Sequence, residues 1–239
     1  MNKLKSKAKC FYCDKLFAGG GISRHLKTHL EKLEEEQKSR HKSFHVKVVG
    51  EQNYFLHLLI HETALLDNLD LFLRQIWVEC CGHLSSFQVK GKSKMPEDIW
   101  SSMEDDYEYG LDKRTKIGGL FKKGLKLEYE YDFGSTTYLE IQVMNEYFVE
   151  NKDKILLLSR NEPLPILCEL CEKQPATVAC TMWHEDETVF CDSCKKKHAQ
   201  KCSDFEDYGE MPIVNSPRFG VCGYEGGSID TERDGIWKK

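Results

Sequence analysis

Six cysteines and two histidines crowd into thirty-five residues, as Cys168-x2-Cys171-x8-Cys180-x3-His184-x6-Cys191-x2-Cys194-x3-His198-x3-Cys202. A C-x2-C pair lets two thiolates chelate one ion from a single tight turn, and a second such pair completes a tetrahedral four-sulfur zinc site. Cys168, Cys171, Cys191 and Cys194 are expected to form that site. The other donors, Cys180, His184, His198 and Cys202, interleave with it, and His198 and Cys202 stand four apart, on one face of a short helix following Cys194. They imply a second site cross-braced with the first. One zinc with spare donors, Asp186 or water replacing His184, is the plainer alternative. Closed four-ligand sites scaffold rather than hydrolyse.

Residues 10–29 carry another metal pattern, Cys10-x2-Cys13-x3-Phe17-x4-Ile22-x2-His25-x3-His29, that of a two-cysteine, two-histidine zinc finger with its apolar pair Phe17 and Ile22. Eleven residues separate Cys13 from His25, where roughly twelve are usual, so Gly19-Gly20-Gly21 must turn tightly. The positions that would face a major groove hold Ala18, Gly20 and Gly21, leaving Arg24 to reach a base edge. Lys3, Lys5, Lys7, Lys9, Arg24 and Lys27 suit phosphate contacts, which are blind to sequence. The finger helix is expected to continue past Leu30 as a charged, solvated connector.

The chain has 239 residues, 40% of them hydrophobic, enough for one good-sized packed domain with small modules around it. No apolar run reaches bilayer-spanning length, and no signal-peptide stretch follows Met1-Asn-Lys-Leu-Lys, so a cytoplasmic protein without membrane contact is expected. Eleven cysteines, largely in C-x2-C pairs, then point to metal rather than disulfides. The net charge of −5 conceals an asymmetry: residues 1–47 hold twelve Lys and Arg against five Asp and Glu, or +7, leaving −12 on the rest. A basic arm on an acidic body suits contact with nucleic acid at one end, a merely solvated arm being the alternative.

Between these modules the pattern changes to that of a packed domain. Phe44, Val46 and Val48 alternate with polar residues, Gly50-Glu-Gln-Asn turns the chain, and Tyr54, Leu56, Leu58 and Ile60 alternate again, which predicts a hairpin. Leu65, Leu66, Leu69, Phe72, Leu73, Ile76, Trp77 and Cys80 recur at helical steps and predict one long amphipathic helix. Cys80 and Cys81 at its end read as packing thiols, because no second thiol pair accompanies them. Strands are expected over residues 83–89, 125–133, 139–143 and 155–158, with a short helix over 115–122 and a polar, acidic loop over 91–112. Asp132-Phe133-Gly134 is a hairpin turn, since the other kinase motifs are missing. The expected fold is α+β: a hairpin-rich mixed sheet with one long amphipathic helix, flanked by small zinc-binding modules. Its divisions are residues 1–42, 43–162, 163–206 and a tail, 207–239.

The run Leu69-x3-Leu73-x2-Ile76-Trp77-x-Glu79-Cys80-Cys81-Gly82-His83-Leu84, with Tyr129-Glu130-Tyr131-Asp132-Phe133-Gly134-Ser135-Thr136-Thr137 after it, resembles the plasmid pRiA4b ORF-3-like family over roughly residues 43–162. Asn215 to Tyr224 looks like the end of that family's longer, zinc-tailed form. The resemblance implies an α+β domain and an association with plasmids and insertion elements, as a passenger or resolvase-like protein without established activity. Seven scattered arginines do not make the arginine-rich site of a serine recombinase, and Ser135-Thr136-Thr137 replaces the acidic and aromatic run of other branches. The tail spacing is similar to B-box-type zinc modules, except that Trp183 stands where a second cysteine is expected after Cys180.

These readings converge on a non-enzymatic, zinc-binding, nucleic-acid-associated protein of mobile-element type. It has three Zn2+ sites, weak sequence-independent DNA or RNA contact through residues 1–47, and a protein partner. No small-molecule substrate is indicated. The alternatives are a zinc-stabilised protein adaptor, or a nucleic-acid-processing enzyme with carboxylates in residues 97–112 beside Asp132.

Overall fold

The structure, a computed structural model, describes residues 4–90, 110–182 and 188–234. It opens on a small antiparallel hairpin, β1 (Lys7–Lys9) and β2 (Leu16–Ala18), that runs straight into helix α1 (Gly19–Gln37). Ile22, Leu26 and Leu30 recur every four residues along α1 and are fully buried, so the helix has one apolar stripe facing inward. The helix stops where Lys38 turns left-handed, with φ 47°, and returns its N–H to the Glu34 carbonyl.

A hairpin follows, β3 (Ser43–Val49) and β4 (Phe55–His61), turned by Gln52 and Asn53 at positive φ. Next come α2 (Leu66–Leu73), β5 (Ser85–Val89), the single turn α3 (Ile117–Leu120), and three strands, β6 (Lys126–Tyr131), β7 (Thr137–Tyr147) and β8 (Ile155–Arg160). They form one six-stranded sheet in the order β5-β6-β7-β3-β4-β8. The α+β fold is as expected, but every pairing is antiparallel rather than mixed. The short turns joining β3 to β4 and β6 to β7 permit only antiparallel pairs there, while β5–β6, β3–β7 and β4–β8 meet through longer connections.

Both faces of the sheet are covered. Phe44, Val46, Val48, Leu56, Leu58 and Ile60 face α2, together with Leu69, Leu73 and Trp77. On the opposite face Phe55, Leu59, Tyr147 and Leu158 pack against Ile22, Leu26 and Leu30 of α1. The finger helix is therefore docked on the sheet, and only its outer face is the solvated connector that its charges imply.

The helix expected over residues 65–80 splits in two. After α2 the chain widens into a π turn, Arg74–Val78, in which the Glu79 N–H donates to the Arg74 carbonyl, 3.0 Å away. The widening frees carbonyls for the C-terminal segment: Gln75 accepts from the Ser228 and Ile229 N–H groups at 2.7 and 3.3 Å, and Trp77 accepts the Ser216 hydroxyl at 2.6 Å. The longest helix among the described residues is α1, not this one.

The rest is a small module of β9 (Val178–Cys180), β10 (Val189–Phe190), α4 (Asp192–Ala199) and β11 (Glu210–Pro212), its sheet ordered β10-β9-β11. The chain then returns to the large domain. Arg160 of β8, fully buried, holds Asp234 at 2.7 Å, Asp230 at 3.3 Å and the Asn215 carbonyl.

Candidate metal centres and nucleic-acid interface

The hairpin β1–β2 places Cys10 and Cys13 in the turn between its strands, and α1 presents His25 and His29 one turn apart. Cys13 Sγ lies 3.1 Å from His25 Nε2, which lies 3.1 Å from His29 Nε2, and all four donor atoms are within 4.8 Å of one another. Sulfur and nitrogen ligands of one tetrahedral zinc stand about 3.3–3.8 Å apart, so the four fit a single ion. Burial lowers the His25 pKa, which keeps the imidazole neutral and free to ligate. Phe17 stacks on His25 with ring centroids 4.0 Å apart, and Ile22 is buried beneath the helix. Both apolar finger positions thus play the parts their spacing implies.

Two faces of the finger have different neighbours. Toward the sheet, the Phe11 N–H donates to the Leu158 carbonyl, the Glu162 N–H to Lys7, and the Ser159 hydroxyl to Lys9, at 2.7–2.9 Å. Ser23 meets His57 at 3.2 Å, and His57 meets His45 at 2.9 Å, a buried polar chain under α1. Lys5, Lys7, Arg24 and Lys27 are exposed and Lys9 is half-buried. Lys9 pairs with Asp14 at 2.9 Å and Lys27 with Glu31 at 3.4 Å, exposed pairs weak enough to exchange for a phosphate. Lys3 lies outside the described residues. Ala18 caps α1 without a side-chain hydrogen bond and no acid occupies the first turn, so that end of the helix offers N–H groups and positive potential to an anion.

In the tail, Cys168 and Cys171 meet Cys191 and Cys194, all four Sγ atoms within 4.8 Å, with Cys171 and Cys191 4.0 Å apart. Cys191 is the residue before α4 and Cys194 lies in its first turn. Hydrogen bonds from the Ser193 hydroxyl and the Cys194 N–H bring the Cys191 pKa down to about 6, while burial and the neighbouring sulfurs push Cys194 up to about 12, so without a cation the cluster favours thiolate at Cys191 and thiol at Cys194. Cys180, His198 and Cys202 gather separately, their donor atoms again within 4.8 Å. His198 stacks on Phe190 with centroids 4.2 Å apart. The interleaved order of the two sets in sequence is thus matched by two clusters in space. His184, Trp183 and Asp186 lie outside the described residues.

Asp132, offered as a partner to an acidic catalytic loop, is held by Arg218 at 2.7 Å, and that hydrogen bond, ahead of all other causes, lowers its pKa to about 2. Arg218 also donates to the Ser135 carbonyl and the Thr137 hydroxyl. The stretches 129–137 and 215–224 therefore meet, and their contact is an anchor for the C-terminal segment. Residues 91–109 of the acidic loop lie outside the described residues. Asp112 pairs with Arg114.

One grouping escaped the sequence reading. Cys80 packs partly against the core as expected, but Cys81 is exposed, and both lie beside His83 and Cys222. Eleven cysteines less the two of the finger and the six of the tail leave these three over, which is the signal that could have found them.

The architecture is that of a zinc-finger protein whose finger is built onto an antiparallel α+β domain. Residues 1–46 match the model of the BED-like zinc finger, a DNA-binding type, and with the Cys and His clusters this supports zinc binding and a nucleic-acid-associated function. Among curated proteins none matches significantly. Among solved structures, a crystal structure of a protein of unknown function from Methanosarcina mazei Go1 aligns with a TM-score of 0.38 and 12% identity, over 50% of this chain and 67% of that one. Among the described residues no helix is long and apolar enough to cross a membrane.

Proposed function

We propose that this chain is a zinc-stabilised, non-enzymatic protein that touches nucleic acid through the outer face of its N-terminal finger and does so without reading sequence. The observation that carries the reading is the BED-like finger itself, with the uncapped helix start and the exposed Lys5, Lys7, Arg24 and Lys27. These groups neutralise phosphates, while Ala18, Gly20 and Gly21 offer no side chain that can pair with a base edge. Three zinc ions are assigned. Cys10, Cys13, His25 and His29 hold the first, Cys168, Cys171, Cys191 and Cys194 the second, and Cys180, His198 and Cys202, with His184, the third. The resemblance of residues 43–162 to the plasmid pRiA4b ORF-3-like family supports reading the protein as a mobile-element passenger, in the divisions 1–42, 43–162, 163–206 and 207–239. A protein-adaptor role is the second reading, favoured by the exposed Leu167, Leu170 and Tyr208 on the tail module.

The test is retention on duplex DNA over a salt series, comparing the wild-type chain with Arg24→Ala/Lys27→Ala. Binding should fall steeply with salt, and the log–log slope should lose about 0.9 for each phosphate contact removed. Equal retention of the variant, or strong preference for one sequence, would refute phosphate-only contact by the finger.

A further inference from the structure

Cys80, Cys81, His83 and Cys222 belong neither to the finger nor to the tail module. The first three follow the π turn and precede β5, and Cys222 lies on the returning C-terminal segment, 139 residues beyond His83. Their three Sγ atoms and the His83 Nε2 all lie within 4.8 Å of one another. Cys81 Sγ is 3.7 Å from Cys80 Sγ and 3.7 Å from Cys222 Sγ, while His83 Nε2 is 3.0 Å from Cys81 and 3.3 Å from Cys222. Four donors around one tetrahedral zinc, with Zn–S about 2.3 Å and Zn–N about 2.0 Å, stand about 3.3–3.8 Å apart.

The backbone on both sides is shaped to this meeting. Gly82 turns the first loop at φ 82°, and Cys222 itself has φ 51°, between Gly220 at φ 76° and Gly223 at φ 65°. A non-glycine residue in the left-handed region is strained and persists where its surroundings hold it there. Those surroundings are explicit. Tyr131 Oη accepts from the N–H groups of Cys80 and His83 at 3.4 and 3.3 Å. Ser216 and Arg218 tie the other loop to Trp77 and Asp132. The Arg218 guanidinium, already paired with Asp132, also lies 3.4 Å from Cys80 Sγ, a hydrogen-bond donor aimed at one of the sulfurs.

We propose that Cys80, Cys81, His83 and Cys222 form a fourth zinc site, which clamps the C-terminal segment onto the sheet domain. Three soft thiolates with one imidazole select zinc among common divalent ions, and four protein ligands leave no open position, so the site is structural.

The experiment compares zinc content, by native mass spectrometry and elemental analysis, of the full wild-type chain and of Cys81→Ser/Cys222→Ser, both exposed positions. The expected result is one zinc fewer per chain in the variant, whatever the number held elsewhere. The ligand-conserving His83→Cys should keep the ion that His83→Ala loses. A measurement on the wild type avoids dependence on the folding of any variant: alkylation of Cys81 and Cys222, mapped by peptide mass, should be at least about tenfold slower in the zinc-loaded chain than after chelation, because a coordinated thiolate is a poor nucleophile. Equal zinc content of wild type and double variant, a disulfide between any of these cysteines in the zinc-supplemented protein, or alkylation indifferent to zinc would each overturn the proposal.

Discussion

His45 and His57 show at the scale of single residues how placement overrides chemistry legible in the sequence. Both lie on the sheet face under α1, hydrogen-bonded to each other at 2.9 Å, with Ser23 closing the chain on His57. Burial holds His45 down to about 4, and burial together with the neighbouring His45 holds His57 well below the usual imidazole value. In the unfolded chain both take up protons near pH 6.5, so below that value protons favour the unfolded state. The stability these neutral imidazoles allow is present above pH 6.5 and drains away as the pH falls toward 4. Each imidazole that stays neutral in the fold costs about 2 kcal/mol of stability between pH 7 and pH 5, so over that range the wild type should lose about 4 kcal/mol more than His45→Gln/His57→Gln, read from chemical denaturation at both pH values. Acid release of zinc is common to the two proteins and cancels in the difference. Equal losses would mean the pair is solvated.

Helix α1 is the element in which folding and binding residues alternate most closely. Leu26 is fully buried against the sheet, while its neighbour Lys27 points outward. Leu26→Ala should cost about 2–5 kcal/mol, the usual cost of a leucine-sized hole in a packed core. Lys27→Ala should leave the unfolding midpoint almost unchanged and weaken DNA retention. A Leu26→Ala protein as stable as wild type would show that the finger does not dock. The π turn makes a second case. A Cβ on Gly227 would lie 2.5 Å from the Ile76 carbonyl oxygen and 2.6 Å from that of Gln75, whereas one on Gly20 would meet nothing within 4 Å. Gly227→Ala should therefore lift the C-terminal segment off the turn, destabilising by about 1–3 kcal/mol. Gly20→Ala should be neutral or gain up to about 1 kcal/mol from helix propensity. Thermal melts of the two variants decide the matter.

At the scale of the whole molecule, the zinc tail and the sheet domain depend on metal differently. The apolar cluster of the tail module consists of Val178, Phe190 and Phe205 around Cys168, Cys180, Cys191, Cys194 and Cys202, so most of its interior is cysteine, the proposed ligands. Such a module draws its folding free energy from the ion. Chelation, or Cys191→Ser, should expose residues 165–212 to protease while the six-stranded sheet keeps its circular dichroism and a cooperative transition. Simultaneous collapse of both would contradict this. Much of the molecule was legible beforehand, because local spacing suffices where ligands or strand partners lie close along the chain. C-x2-C pairs, the finger pattern and the alternation in β3, β6 and β7 are all of that kind. In β4 the alternation of Leu56, Leu58 and Ile60 marks one covered face, and Phe55 and Leu59 between them mark the second. What local pattern does not carry is which distant segment supplies the cover. The docking of α1 on the sheet, the π turn that yields its carbonyls to residues 216–229, and the meeting of Cys222 with Cys80, Cys81 and His83 join residues some 30 to 150 positions apart. The sequence alone marked the C-x2-C pairs, the finger pattern and the strands of the large sheet. Tertiary structure decided which surfaces remain free to use them, because burial and donor geometry are set by contacts between segments that carry no mark of each other.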